Sequence, residues 1–537
     1  MKKIVFLFLL LSAVVQAQED AWVYFADKPD AVYYFANPVE MLSQKALDRR
    51  AAQGISPDDK DIPIHQEYIN AVTNTPGITV MAKSKWLNAL HIRGSIDAIN
   101  TLTELEFVAS VDFANKDLNG TGRAANTATN KSVAKQLDAQ ADYNYGSAAT
   151  QIQMLNGHLL HQQNFTGAGM TIAVLDNGFP GTETSPVMQH LYENNLVLGG
   201  YNYVADSDNI YSGGNHGSLV LSTMGGYSDG QLVGTAPDAS YYLFVTEDVS
   251  SENPVEESYW VEAAEAADSL GVDIINTSLG YLIYDNQSYN YTYNDIDGET
   301  AFITRGANVA FSRGMFLVTS AGNRGASADP YIGVPADAFN TLTVGAVNAA
   351  EEYASFSCTG PTADGRIKPD VMAMGQGSAY SASDGTITTG NGTSFSSPIT
   401  AGLVACLWQA MPDKTNAELL QIIRQSADRY TTPDVQYGYG IPDFWAAYQM
   451  DLATAEVRKE TFALYPNPAD EVVHVNREVN KDSATITFYN ILCQPVLTAK
   501  ISGENNQVDI SSLPSGIYNY MLSSGSSISA QGSIVKL

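Results

Sequence analysis

Four short runs in the middle of this chain, 171–175, 272–275, 315–320 and 342–347, are mainly apolar without strict alternation. Runs of this kind read as strands covered on both faces, the pattern of a parallel sheet. Helical spacing appears between and after them. Ile399, Leu403, Leu407 and Met411 recur every four residues, which predicts a helix with one apolar, buried face. Residues 259–270 are Ala-rich and stop at Gly271, a residue suited to a left-handed helix cap. Strands and helices alternating in this way predict an α/β fold over residues 140–452, a doubly wound parallel sheet with right-handed crossovers.

The two ends are patterned differently. Ahead of the sheet, 22–25 predicts a strand, 41–51 a helix stopped near Gly54, and 84–92 a second strand. Ser95 then caps a helix whose apolar positions are Ile96, Ile99, Leu102 and Leu105. Together they predict a small α+β domain over 18–118. Residues 119–139 follow as a linker; 119–136 are small and polar with no periodicity, the character of an exposed segment open to processing. After residue 452 comes a junction, 453–461, marked by charged Arg458-Lys459-Glu460. From Phe462 the chain reads as short strands at 472–475, 485–489, 496–501, 508–510, 517–522 and 533–535. Turn-rich Tyr465-Pro466-Asn467-Pro468 and Leu513-Pro514-Ser515-Gly516 separate some of them, which predicts a small β-sandwich over 462–537.

Composition narrows the setting. The 537 residues allow several domains, and a hydrophobic content of 45% is that of a globular protein. A net charge of −30 argues against nucleic acid, anionic membrane surfaces and strongly acidic substrates as partners. Lys2-Lys3, the apolar run from Ile4 to Val15 and the end Val15-Gln16-Ala17 make residues 1–17 a signal peptide with cleavage after Ala17. That run is too short to span a membrane, and no second candidate follows, so the mature chain is expected to have no transmembrane segment. Three cysteines do not build a disulfide framework in a secreted chain.

Candidate chemistry sits where the elements meet. Gly390-Asn391-Gly392-Thr393-Ser394 delivers a serine to the start of the Ile399–Met411 helical pattern. Unpaired N–H groups and the positive dipole end at a helix N-terminus favour negative charge beside Ser394, as a serine nucleophile attacking a carbonyl requires. Taken alone, Thr393 or Ser394 is equally suited to a simple helix cap. Upstream, the 171–175 strand runs into Asp176-Asn177-Gly178, placing a carboxylate at the carboxyl end of a strand, where ligands bind in open α/β sheets. A turn-forming aspartate is the plainer reading of that position by itself. Gly214-Asn215-His216-Gly217-Ser218 sets a histidine at the start of another helix, a place that also suits an ordinary surface histidine.

The three strings together, in the order Asp, His, Ser, are more specific. Gly392-Thr393-Ser394-Phe395-Ser396-Ser397-Pro398 resembles the nucleophile motif of the subtilisin-like serine peptidases. Ala321-Gly322-Asn323 after the 315–320 strand resembles that family's oxyanion loop. The related sedolisin-type peptidases use Glu and Asp where this chain has His216 and Asn323. Gly365-Arg366-Ile367-Lys368-Pro369-Asp370 and Tyr437-Gly438-Tyr439-Gly440-Ile441-Pro442-Asp443 are similar to further family landmarks. Two departures occur: Asn177 stands where Ser or Thr is usual, and Phe395-Ser396 where Met-Ala is common.

The resemblance implies a secreted endopeptidase acting on polypeptide substrates without metal or organic cofactor. It implies that Asp176 orients His216, His216 serves Ser394 as general base, and the Ser394 N–H with the Asn323 amide holds the oxyanion. It implies too that Ser278, Leu279 and Gly280, ending the 272–275 strand, pair with substrate backbone. Calcium sites common in the family cannot be placed. The 18–118 domain resembles the family's inhibitory propeptide, a permanent accessory domain being the alternative. The strings LYPNPA, FYNILCQPV, LPSGIY and SIVKL in 462–537 resemble the sorting domain read by type IX secretion machinery. That likeness implies export through the periplasm of a Gram-negative bacterium to the surface or medium; an immunoglobulin-like binding module is the alternative. A catalytically silent adhesion protein on the same scaffold is the other reading of the whole chain.

Six further residues carry open questions. Arg324, next to Asn323, either pairs with a substrate carboxylate or with solvent and neighbouring acids. His158 and His161 share one helix face but lack acidic or cysteine partners for a metal. Cys406, inside the apolar helix, reads as a buried thiol, while Cys358 and Cys493 are compatible with free thiols or a single pair.

Overall fold

All four apolar runs enter one seven-stranded sheet. Its order is Val371–Met374, Leu342–Val347, Phe316–Ser320, Ile274–Thr277, Thr171–Asp176, Ser240–Val245 and Val197–Asn202. Every neighbouring pair is parallel. The computed structural model describes residues 18–119, 143–458, 462–477, 484–490, 494–501, 506–524 and 527–537. The expected signal peptide, most of the linker and Cys493 lie outside them. The chain enters the sheet in its middle at Thr171–Asp176, builds out to one edge, then crosses to Ile274–Thr277 and continues to the other. Strand order therefore reverses beside the carboxyl end of Thr171–Asp176, where such sheets open a crevice.

Three strands had no readable signal. Val197–Asn202 is a half-exposed edge strand weakened by Gly199 and Gly200, and Ser240–Val245 mixes tyrosines with aliphatics. Val371–Met374 is only four residues long. The helix Thr393–Ala410 corrects the one-faced expectation. Thr393 and 395–408 are all buried, so the helix runs through the core rather than along its surface. Its polar side chains tolerate this because they are bonded: Ser397 donates to Asn276 (3.0 Å) and Thr400 to the Ser396 carbonyl (2.8 Å).

The 18–119 region is a four-stranded antiparallel sheet, ordered Ile78–Ser84, Ala89–Ser95, Gln18–Phe25 and Val108–Phe113. The expected single strand over 84–92 is a hairpin instead. Its turn, Lys85-Trp86-Leu87-Asn88, has neither Gly nor Pro; Trp86 is buried, and Asn88 supplies the positive φ of 51°. The expected helix over 41–51 starts at Gln44, where Ser43 accepts from the Ala46 N–H. Met41 and Leu42 are buried in the turn before it. Ser95 caps its helix as expected, accepting from the Ala98 N–H.

Gln18–Phe25 explains why this region docks so closely. Ala21, Val23 and Phe25 join the domain's own core, whereas Trp22 and Tyr24 join the core of the seven-stranded domain. Trp22 stacks on Phe302 at 5.0 Å and donates to Ser258. Arg50, fully buried, bonds Asp61 of its own domain and Asp268 of the helix Val255–Leu270. The buried Glu265 of that helix accepts from Ser84 Oγ and from the Lys85 and Trp86 N–H groups.

Residues up to Tyr448 form one compact unit and those from Gln449 a second. The second contains a three-stranded sheet of Phe462–Tyr465, Val472–Arg477 and Gln507–Asp509. Its other sheet has four strands, Pro495–Ile501, Ala484–Tyr489, Gly516–Ser524 and Ser527–Lys536 in that order. Ala484–Tyr489 alternates buried and half-buried residues, and Val473, Ile486, Phe488, Leu522 and Ile534 form the core. No helix among the described residues is long and apolar enough to cross a membrane.

Candidate active site

The crevice at the strand reversal gathers the candidate residues. Asp176 is the last residue of its strand and fully buried. His216 is the first residue of the helix His216–Gly225, and its Nδ1 lies 2.8 and 3.0 Å from the two Asp176 carboxylate oxygens. Such closeness depends on missing side chains. A Cβ on Gly217 would stand 2.6 Å from the Gly178 carbonyl and 3.0 Å from the Asp176 Cβ. Asn177, the departure noted in the sequence, ties the two segments together. Its backbone N–H donates to Asp176 Oδ1 (2.8 Å), and its side-chain oxygen accepts the His216 N–H (3.0 Å). The Asp176 charge raises the His216 pKa above its ordinary 6.5, outweighing burial, which acts in the opposite direction.

Ser394 is the second residue of Thr393–Ala410, half-buried at the mouth of the crevice. Its Oγ donates to the Ser278 carbonyl at 3.4 Å, and no hydrogen bond joins it to His216. Asn323 follows the strand Phe316–Ser320. Its Oδ1 accepts both the Thr393 N–H (2.8 Å) and the Thr393 hydroxyl (3.0 Å), which turns the Nδ2 amide outward as a donor. One point measures the convergence. The position a Cβ on Gly392 would take is 3.6 Å from Asn323 Nδ2, 3.7 Å from Ser394 N and 3.8 Å from Ser394 Oγ. Two donors and a hydroxyl thus surround a space that Gly392 leaves open.

Ser278, Leu279 and Gly280 line a recess of about 170 Å³ with Ser394, Asn323 and Arg324. Ser278 Oγ donates to the Ser394 carbonyl (3.1 Å) and accepts from Asn276 (3.2 Å), which accepts in turn from Ser397. Sequence reasoning gave no role to Asn276, a short polar residue at the end of an apolar run, and read Thr393 only as a helix cap. It also missed three carboxylates. Glu247, Glu252 and Glu256 bring ligand oxygens within 4.8 Å of one another, a spacing a hard divalent cation can bridge. Burial raises all three pKa values, Glu252 to about 6 and Glu256 to about 8; Tyr281 donates to Glu247, and two backbone N–H groups to Glu256.

The remaining candidates are structural. His161 is fully buried between the Tyr145 hydroxyl and the Thr235 carbonyl, and burial lowers its pKa to about 4. Neither it nor His158 belongs to a metal-capable group among the described residues. Cys406 is a buried thiol donating to the Thr235 carbonyl, as expected. Cys358 is free and buried.

Comparison with known proteins bears on the whole chain. The subtilase family profile matches residues 167–440. The peptidase S8 propeptide domain of Bacteroidota matches 20–133, and a secretion system C-terminal sorting domain matches 463–536. Subtilisin E of Bacillus subtilis (strain 168) is 31% identical over 301 residues, 56% of this chain and 70% of that protein. The subtilisin of Bacillus pumilus is 30% identical over 56% of this chain and 98% of its own length. Subtilisin Savinase of Lederbergia lenta is 28% identical over 53% and 93%. With the family profile covering half of its length, and a family propeptide and sorting domain on either side, this chain belongs to the subtilase family and is a serine-type endopeptidase.

Proposed function

We propose that Asp176, His216 and Ser394 carry the peptide hydrolysis, with Asn323 and the Ser394 N–H as oxyanion donors and Ser278, Leu279 and Gly280 binding substrate backbone. The supporting observations are a buried carboxylate bonded to an imidazole at the start of one helix and, at the start of a second helix packed on the first, a serine whose N–H converges with the Asn323 amide. His216 Nε2 takes the Ser394 proton as Oγ bonds to the scissile carbonyl carbon, and Asp176 stabilises the imidazolium. The tetrahedral oxyanion accepts from Asn323 Nδ2 and Ser394 N. Collapse breaks the C–N bond, the imidazolium protonates the leaving amine, and water repeats the sequence on the acyl-enzyme. Ser394 exchanges its bond to the Ser278 carbonyl for one to His216 when substrate enters.

In this reading residues 1–17 direct export to the periplasm. The domain over 18–118 inhibits the 140–452 peptidase until the segment joining them is cut, and 462–537 engages the type IX machinery of a Gram-negative bacterium. The family matches at 20–133 and 463–536 support those assignments. A fluorophosphonate probe should label the wild-type enzyme at Ser394. Ser394→Ala should lose labelling, cut peptides about 10⁶-fold more slowly, and keep its propeptide attached if processing is its own work. Normal cleavage by purified Ser394→Ala protein would overturn the reading.

A further inference from the structure

Ten residues line the recess beside Ser394, and Arg324 is the one that carries a charge at neutral pH. Its position is fixed from behind. The Arg324 N–H donates to the buried Cys358 Sγ (3.1 Å), and the Cys358 N–H donates to the Gly322 carbonyl (2.9 Å). The guanidinium donates through Nη2 to the Tyr331 carbonyl (3.1 Å), two residues before Gly333, which also lines the recess. Its other donors have no hydrogen-bond or ion-pair partner among the described residues. That is unusual in this chain. Arg49, Arg50, Arg313, Arg366 and Arg424 of the same unit all hold carboxylates. With 58 acidic residues against 28 basic ones, an unpaired arginine facing a cleft is a cation for which the fold supplies no counter-charge.

The geometry says what would supply it. A carbonyl carbon bonded to Ser394, with its oxygen toward Asn323, directs the side chain of the acyl residue into this recess. At about 170 Å³ the recess suits one side chain and is smaller than the 300–1,000 Å³ typical of ligand pockets. A guanidinium with a free edge matches a carboxylate in plane and charge. We propose that Arg324 makes this endopeptidase select glutamate or aspartate as the residue whose carbonyl is attacked. The inference rests on the peptidase reading above and names its substrate class. It is compatible with the net charge of −30, which disfavours densely acidic substrates. A single carboxylate in a neutral peptide is read by the nearest cation, since charges beyond about 10 Å are screened at ordinary salt.

The test uses the enzyme expressed as the full chain and matured by its own processing. Peptides identical except for Glu, Gln, Asp or Leu at the acyl position are digested by the wild type, Arg324→Gln and Arg324→Lys. The readout is the Glu-to-Gln ratio of kcat/KM within each enzyme, which is independent of how much of a variant folds. The wild-type ratio should be about tenfold or more at low salt and shrink as salt is added. It should collapse towards one in Arg324→Gln and recover in part in Arg324→Lys. A wild-type ratio near one, or the same ratio in Arg324→Gln, overturns the proposal. If the wild type cuts none of the peptides, the peptidase reading itself falls and this inference with it.

Discussion

Replacing Asp176 with asparagine probes the pairing at the head of the proposed mechanism. The carboxylate is fully buried, with both oxygens within 3.0 Å of His216 Nδ1. Charges centred about 4 Å apart at an effective dielectric near 20 attract by about 4 kcal/mol, and burial of the imidazolium subtracts from that. The net effect in this site is upward. The wild-type base is therefore neutral only above a pKa higher than 6.5, and kcat/KM should rise with pH through that value. In Asp176→Asn burial acts alone, and the acid limb should move below 6.5. The plateau should nonetheless fall on the order of 10⁴-fold, because an amide facing Nδ1 favours the wrong tautomer. The same pair stabilises the fold below pH 6.5, and that contribution is lost as pH rises through the elevated value. A pH series of kcat/KM on a chromogenic peptide decides the matter. An acid limb that does not move, or a plateau loss below about tenfold, would refute the argument.

Three other perturbations follow from the same contacts. Asn323→Ala should lower kcat by about 10²–10³ with KM little changed, because its amide acts on the oxyanion and not on the bound substrate; steady-state kinetics check this. Arg50→Met, made in the Ser394→Ala chain so that the propeptide stays attached, takes the shared cation from two buried carboxylates, leaving Asp268 to Arg49 and Asp61 to the more distant Arg313 (3.6 Å). It should cost about 3–5 kcal/mol in denaturant unfolding. A chain ending near residue 455 should cut small peptides when purified yet accumulate in the periplasm of a host with the type IX pathway. Efficient release to the medium, or a folded but inactive truncation, would count against a purely sorting role for the β-domain.

The sequence was legible where a single environment decides the pattern. Thr171–Asp176 and Leu342–Val347 lie inside the sheet with every residue buried, and their apolar runs give away their place in a parallel sheet. The candidate residues stood out because Asp176, His216 and Ser394 each lie at or next to an element's end, and Asn323 three residues beyond one, where backbone geometry restricts the alternatives. Illegible parts answer to two environments at once. The turn 85–88 read as strand because its centre, Trp86-Leu87, is apolar, packing against the other domain's core and not its own. Asn177 looked like a departure because its value lies in accepting the N–H of a residue thirty-nine positions away. The acidic trio is spread over a loop and a helix start, so only the fold brings its oxygens together.

The propeptide contacts bear on how the inhibition proposed for this domain would be relieved. An inhibitor held by rim charges and a shallow apolar patch leaves by simple dissociation, because each contact is replaced by water at little cost. Here Trp22, Tyr24 and Trp86 are part of one continuous core with the peptidase domain, and Arg50 is fully buried between carboxylates of the two domains. Glu265 likewise accepts three hydrogen bonds from the propeptide, two from backbone N–H groups, while burial raises its pKa to about 7. Separating the domains intact would expose apolar area and desolvated charge in one step, which makes spontaneous release slow even after the connecting segment is cut. Activation is then better served by proteolysis within the propeptide. The hairpin at 85–88 and the helix Gln44–Ala52 supply most of these anchors, so a cut that unfolds either one removes several contacts together.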